Sequence, residues 1–164
     1  MTTTQPGAGE VAALLDAGEA VEDADLTGLD LRALLDGRRA AVLRRCTSTE
    51  PDLHGADLTG ATLDACRLGG ADLRAATLDG AVVRGGSLAG AVIVDADLTD
   101  AVFEAVDLSR VRLTGSLLTE TRFTDCRMIG ADLSGLRGLA VTYRLDGSNL
   151  GLANLQDVVW RGVT

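Results

Sequence analysis

Very little in this sequence is equipped for covalent or acid–base chemistry. His54 is the only imidazole, so a general base titrating near neutrality would have to be that residue. It stands next to Gly55 in a stretch that reads as a turn, and is expected to be solvated. Ser87 and Ser116 lie in no GxSxG elbow and read as outward or small interior residues, not nucleophiles. Cys46, Cys66 and Cys126 show neither CxxC nor another metal-ligand spacing, and read as small buried hydrophobes. Every basic side chain is arginine, which removes Schiff-base lysines and the phosphate-loop lysine. No HExxH run occurs. No catalytic residue, metal or cofactor is therefore assigned, and the expectation is a non-enzymatic protein that works by binding.

The side chains left to do that binding are charged. Asp and Glu number 24 against 15 arginines, a net charge of -9, which argues against direct nucleic-acid binding because affinity for phosphates comes largely from cations. The start MTTTQPGAGE has no basic region followed by an apolar run, and no apolar stretch approaches the roughly 18 residues of a membrane span. A cytoplasmic location without a membrane partner is expected. The 164 residues suit one core, built from small and aliphatic side chains because aromatics are only 2%, and the 20 glycines point to many turns.

A period of five positions these charges. From Leu53 to Leu133 every fifth residue is apolar, seventeen in a row, a run that chance would give with probability on the order of 10⁻⁵. Two positions before each of these centres comes a second series, from Pro51, Ala56, Ala61 and Cys66 to Cys126 and Ala131, nearly all small. A step of five would spray side chains around a helix, and on a flat strand would alternate faces. The chain must instead turn regularly, so that the centre and its small partner face one interior. That is a solenoid.

The unit A(D/N)LxG, seen as Ala56-Asp57-Leu58-Thr59-Gly60 and Ala131-Asp132-Leu133-Ser134-Gly135, resembles the pentapeptide-repeat family over 51 to 135 and again over about 143 to 162. The resemblance implies a right-handed quadrilateral β-helix with four units per coil. The units from 51 onward make about five coils, a rod of roughly 25 Å at a strand spacing of ~4.8 Å. Leu133 and Leu145 are twelve residues apart, two units plus two extra residues, so a bulged loop is expected within about 136 to 144. Cys66 and Cys126 fall in one column three coils apart, about 14 Å, too far to pair.

Residues 1 to 50 read as an N-terminal helical cap with two pentapeptide-like units, 24–28 and 29–33, because the open end of a solenoid needs covering. Helical patterns are read over 9 to 17, with Val11, Leu14 and Leu15 on one face and Gly18 as C-cap, and over 32 to 46, with Leu35, Ala41, Val42 and Leu43. The corner position, two after each centre, is Gly at 9 of 17 units, fitting a turn with positive φ. Asp95, Asp100, Ala105 and Arg110 would be strained there, so a different turn is expected in that coil.

Four units per coil sort the outward positions onto four faces. Face two, centred on 58, 78, 98 and 118, displays Asp57, Asp79, Asp97, Asp100 and Glu120 without an arginine. Face four, centred on 68, 88, 108 and 128, displays Arg67, Arg110 and Arg127 against Asp107. A carboxylate stripe on a rod can imitate a DNA backbone, and the family supplies a precedent, since several members bind bacterial type II topoisomerases and confer resistance to gyrase poisons. The implied partner is DNA gyrase. A second reading stays open: Asp before the centre can hydrogen-bond nearby backbone, and the protein can be a scaffold that meets another partner through face four or the N-terminal helices. At the other end, Leu150, Leu155 and Trp160 lie in a last coil with no capping helix after it, which invites a homodimer through 150 to 164, or else the 136–144 loop closes it.

Overall fold

A computed structural model describes residues 4–137 and 143–158. Six short parallel strands form one sheet in chain order: β1 (Val21–Glu22), β2 (Val42–Arg44), β3 (Thr62–Asp64), β4 (Val82–Arg84), β5 (Val102–Glu104) and β6 (Arg122–Thr124). Each centre pairs with the next twenty residues on, Leu43 with Leu63, Val83 with Phe103, Phe103 with Phe123. This is face three, where β-branched and aromatic residues around the centre favour extended backbone. The other faces hold the same register through single bridges, such as Asp52 with Asp72, Asp57 with Thr77 and Arg67 with Ser87. Four units thus make one coil, and the fold is the expected four-sided parallel β-solenoid with a small helix at its N-terminal end.

The interior is the predicted one. All seventeen centres from Leu53 to Leu133 are at most 5% exposed, and of their small partners only Gly86 is not fully buried. Each buried centre removes roughly 1.5 to 3 kcal/mol of apolar surface from water before entropy is subtracted. Phe103 and Phe123 stack with ring centroids 4.9 Å apart, one coil above the other.

Corners come in two kinds. After most centres the carbonyl accepts from the N–H three residues on, as in Ala56 N–H to Leu53 O at 3.0 Å. Along face three no such bond closes the corner among the described residues, and a side chain from the next coil often takes its place. Cys46 Sγ donates to Val21 O (3.3 Å), Cys66 Sγ to Leu43 O (3.3 Å) and Cys126 Sγ to Phe103 O (3.4 Å). Ser148 Oγ donates to Phe123 O at 3.2 Å and accepts from Cys126 N–H at 3.1 Å.

Three expectations need correction here. Asp95, Asp100, Ala105 and Arg110 have φ of 55°, 55°, 53° and 56°, so that coil keeps the left-handed corner, imposed by the stacked coils at a tolerable local cost. The helix read over 32 to 46 is realised only as α2 (Leu31–Leu35), with the Asp30 side chain accepting from Ala33 N–H. Asp30 and Leu31 therefore start a helix instead of forming the unit read at 29–33, and Val42–Arg44 is strand β2. The ladder itself runs back to Val21, and even Thr4 pairs with Ala24.

The first helix, α1 (Ala8–Asp16), buries Val11 and Leu15, with Leu14 partly covered. Gly18, at φ 70°, ends it as expected, with Gly18 N–H to Leu15 O and Glu19 N–H to Leu14 O forming a paired C-terminal cap. At the far end the register lengthens to 22, Arg122 with Arg144 and Asp132 with Asn154, in agreement with two extra residues. Residues 138–142 of the expected loop lie outside the described residues.

Candidate functional site

On face two the outward side chains stack into columns one coil apart. The column just before the centres runs Asp57, Thr77, Asp97, Leu117, Arg137. Asp57 Oδ1 accepts from Thr59 N–H at 3.0 Å, and Asp97 Oδ1 from the Thr99 N–H (3.0 Å) and hydroxyl (2.7 Å). The same bond to the N–H two residues on recurs at Asp25, Asp52, Asp107 and Asp132, and is made by the amide oxygens of Asn149 and Asn154. These carboxylates brace the turn, as the local reading anticipated. The Thr59 hydroxyl and N–H hold Asp57 below the usual carboxylate range, with Arg39 adding to the effect. Asp79, Asp100 and Glu120 stand one or two positions after a centre, where the repeat does not require an acid.

The face is less uniformly acidic than its own units suggest. Arg39, from the segment after α2, places Nε 3.1 Å from Asp57 Oδ2. At the opposite end Arg137 stacks on Leu117, donates to the Gly115 carbonyl and pairs with Asp95 at 3.1 Å. Sequence sorting missed both because Arg39 lies upstream of the regular units and Arg137 in the irregular stretch after Leu133. The uninterrupted acidic stretch is Asp79, Asp97, Asp100 and Glu120, in three successive coils, about 10 Å along the axis.

Face four is also interrupted. Its column runs Thr47, Arg67, Ser87, Asp107, Arg127, Asn149, with Arg67, Arg110 and Arg127 exposed. Burial pushes the Asp107 carboxyl up, but the Ser109 hydroxyl and N–H and the Arg127 and Arg110 charges outweigh it, leaving Asp107 below its usual range. Face three carries a further pattern: Glu22, Arg44, Asp64, Arg84 and Glu104 succeed one another along one column with alternating sign. Arg44 meets Glu22 at 2.7 Å and Arg84 meets Glu104 at 2.8 Å. A 20-residue comparison, lengthened to 22 across α2, finds this ladder in the sequence.

Residues weighed for catalysis are not brought together. His54 is exposed, Ser87 is half-buried with its hydroxyl accepting from Ala89 N–H, and Ser116 is buried, bridging Ile93 O and Ala96 N–H. Among the described residues no group of three or more His, Cys, Asp or Glu is placed to hold a metal ion, and no helix is long and apolar enough to cross a membrane. In the last coil Leu150 and Leu155 are only partly buried, and Leu152, at a corner with φ 61°, is 92% exposed. Trp160 lies outside the described residues.

The repeat that builds this geometry matches a known family. Residues 52–90, 66–104 and 96–135 match the family described as pentapeptide repeats, in 8 copies. Among solved structures, the chain is similar to QnrB1, a plasmid-mediated fluoroquinolone resistance protein, at 16% identity over 85% of this chain and 87% of that one, with a TM-score of 0.43. It is similar to HetL of Nostoc sp. strain PCC 7120, a protein involved in heterocyst differentiation regulation, at 22% identity over 91% and 92% of the two chains, TM-score 0.33. A pentapeptide repeat protein from the Arabidopsis thaliana thylakoid lumen is 31% identical over 67% of this chain and 68% of its own, TM-score 0.25. No curated protein sequence matches the chain.

Proposed function

Since the chain belongs to the pentapeptide-repeat family, we propose that it is a non-catalytic, cytoplasmic binding protein whose acidic face occupies the DNA-binding surface of a type II topoisomerase, DNA gyrase, in self-protection or antibiotic resistance. The observation that carries this reading is the middle of face two, where Asp79, Asp97, Asp100 and Glu120 cluster on one wall across three successive coils, with Glu120 one coil from Asp100. The Asp97 carboxylate, held by the Thr99 N–H and hydroxyl, loses little entropy on meeting a cationic groove, and the acids beside it add charge that favours a surface built to bind phosphates. A homodimer through Leu150, Leu155 and Trp160 would lengthen the rod and double the acidic face.

Supercoiling by gyrase, with purified protein titrated in and with or without a fluoroquinolone, tests it. Inhibition or drug protection at micromolar protein is expected. A variant combining Asp79→Asn, Asp97→Asn, Asp100→Asn and Glu120→Gln should lose the effect while keeping the fold, because Asn149 and Asn154 already make the turn bond that Asp97 makes. No effect of the unaltered protein across that range overturns the gyrase reading and leaves the scaffold reading, with face four or α1 as the contact.

A further inference from the structure

Three cysteines share one interior column, at the corner that follows the main sheet. Leu43 faces Leu63 and Thr47 faces Arg67, so Cys46 and Cys66 lie on adjacent coils, one strand spacing or about 4.8 Å apart at Cα. A disulfide spans Cα separations of about 4.4 to 6.8 Å. Both sulfurs point the same way, each to a carbonyl of the coil before it, so the two thiols are neighbours in the column. Cys126 is set apart, because positions 86 and 106 of the column are Gly86 and Val106.

We propose that Cys46 and Cys66 close into a disulfide under a peroxide oxidant, a redox-sensitive staple joining the N-terminal end of the solenoid to its body. The thiolate of one cysteine attacks the O–O bond of peroxide, giving a sulfenic acid and hydroxide. The second thiol then displaces water from the sulfenic sulfur. Two thiols and one peroxide thus become one disulfide and two waters, with sulfur oxidised and peroxide oxygen reduced. Neighbouring places in one column let either thiol act as the nucleophile and the other resolve the sulfenic acid. Cys46 is 0% and Cys66 5% exposed, so the oxidant enters when the end of the ladder frays. The covering there is thin: α1, held by Val11 and Leu15, and the two-residue strand β1.

The folded protein exposed to hydrogen peroxide, then alkylated in denaturant and digested with trypsin, tests the staple. Arg45 and Arg67 flank one peptide, Cys46–Arg67, that holds both cysteines and no internal arginine. That peptide should lose the mass of two hydrogens and take no alkyl group, whereas Phe123–Arg127 should be alkylated at Cys126. The oxidised protein should melt several degrees higher than the reduced one, a shift absent in Cys66→Ser, and Val11→Ala should speed the oxidation by loosening α1. Alkylation of both Cys46 and Cys66 after oxidation, their conversion to sulfinic acid, or a disulfide that forms only in unfolded protein overturns the proposal.

Discussion

At the scale of single residues, the corner column shows how much of the repeat is backbone requirement. Most corner glycines have room for a Cβ, and Ala65, Ala75 and Ala105 already occupy equivalent corners at φ of 52° to 54°. Gly86 is different. It follows Gly85, itself at φ 59°, has φ 71°, and a Cβ built on it would lie 1.9 Å from the Cys66 carbonyl oxygen. Gly86→Ala should therefore cost at least about 3 kcal/mol and lower the melting temperature by about 6 to 12 °C, whereas Gly80→Ala, whose Cβ meets nothing, should cost about 1 kcal/mol. Thermal melts of the two variants check this; equal shifts would mean that the approach at Gly86 does not matter. The aspartates before the centres carry a related lesson. Their charge is incidental to the turn bond they make, since asparagine makes it too, and so charge and structural role can be separated at one atom.

At the scale of elements, face three forms strands of two or three residues where the other faces pair through single bridges, and the aromatic pair is their largest packing unit. Phe103 and Phe123 are 0% exposed and stack nearly parallel, with 12° between the rings. Phe103→Ala should open a cavity that the stacked coils cannot collapse around, at a cost of about 3 to 5 kcal/mol, while Phe103→Leu, the residue found at most other centres, should cost less than about 1.5 kcal/mol. Urea unfolding midpoints would read the difference directly. The helices act by a different route. Val11 and Leu15 of α1 and Leu31, Leu34 and Leu35 of α2 cover the first coils with side chains that a further coil would otherwise bury. The two extra residues that accommodate α2 also shift the ladder register from 20 to 22 between Val21 and Leu43.

At the scale of the molecule, the charge of -9 is spread unevenly over a rod. Face three is balanced by its alternating ladder, face four is divided by Asp107, and the excess acid is concentrated in the middle of face two and on the face centred on 53, 73, 93, 113 and 133, where Asp52 stacks on Asp72. The proposed homodimer belongs to this scale as well. Leu150, Leu152 and Leu155 should be protected on association, so the mass measured by sedimentation should rise with protein concentration, and Leu152→Arg should return it to the monomer. A monomer mass at every concentration would refute the dimer and leave the gyrase proposal to its own test.

The sequence by itself determined the solenoid, because the centre of each five must reach the interior and the position two before it must be small, and this pattern runs through seventeen units without interruption. It determined α1 and its glycine cap for the same reason, that local pattern and burial agree there. It did not determine α2, where Asp30-Leu31 fits both a repeat unit and a helix start, and only the packing of Leu31, Leu34 and Leu35 on the end of the coil decides between them. Corner geometry was misjudged at Asp95 and Asp100, because the local preference against positive φ is smaller than the stacking energy of the coils on either side. The same holds for the candidate site. Face membership within the regular units was legible as arithmetic on position, but Arg39 and Arg137 arrive from irregular segments, and the placing of Cys46 beside Cys66 on adjacent coils depends on a register that starts before the regular run. Those juxtapositions join residues through space across a change of period, and only the tertiary structure decides them.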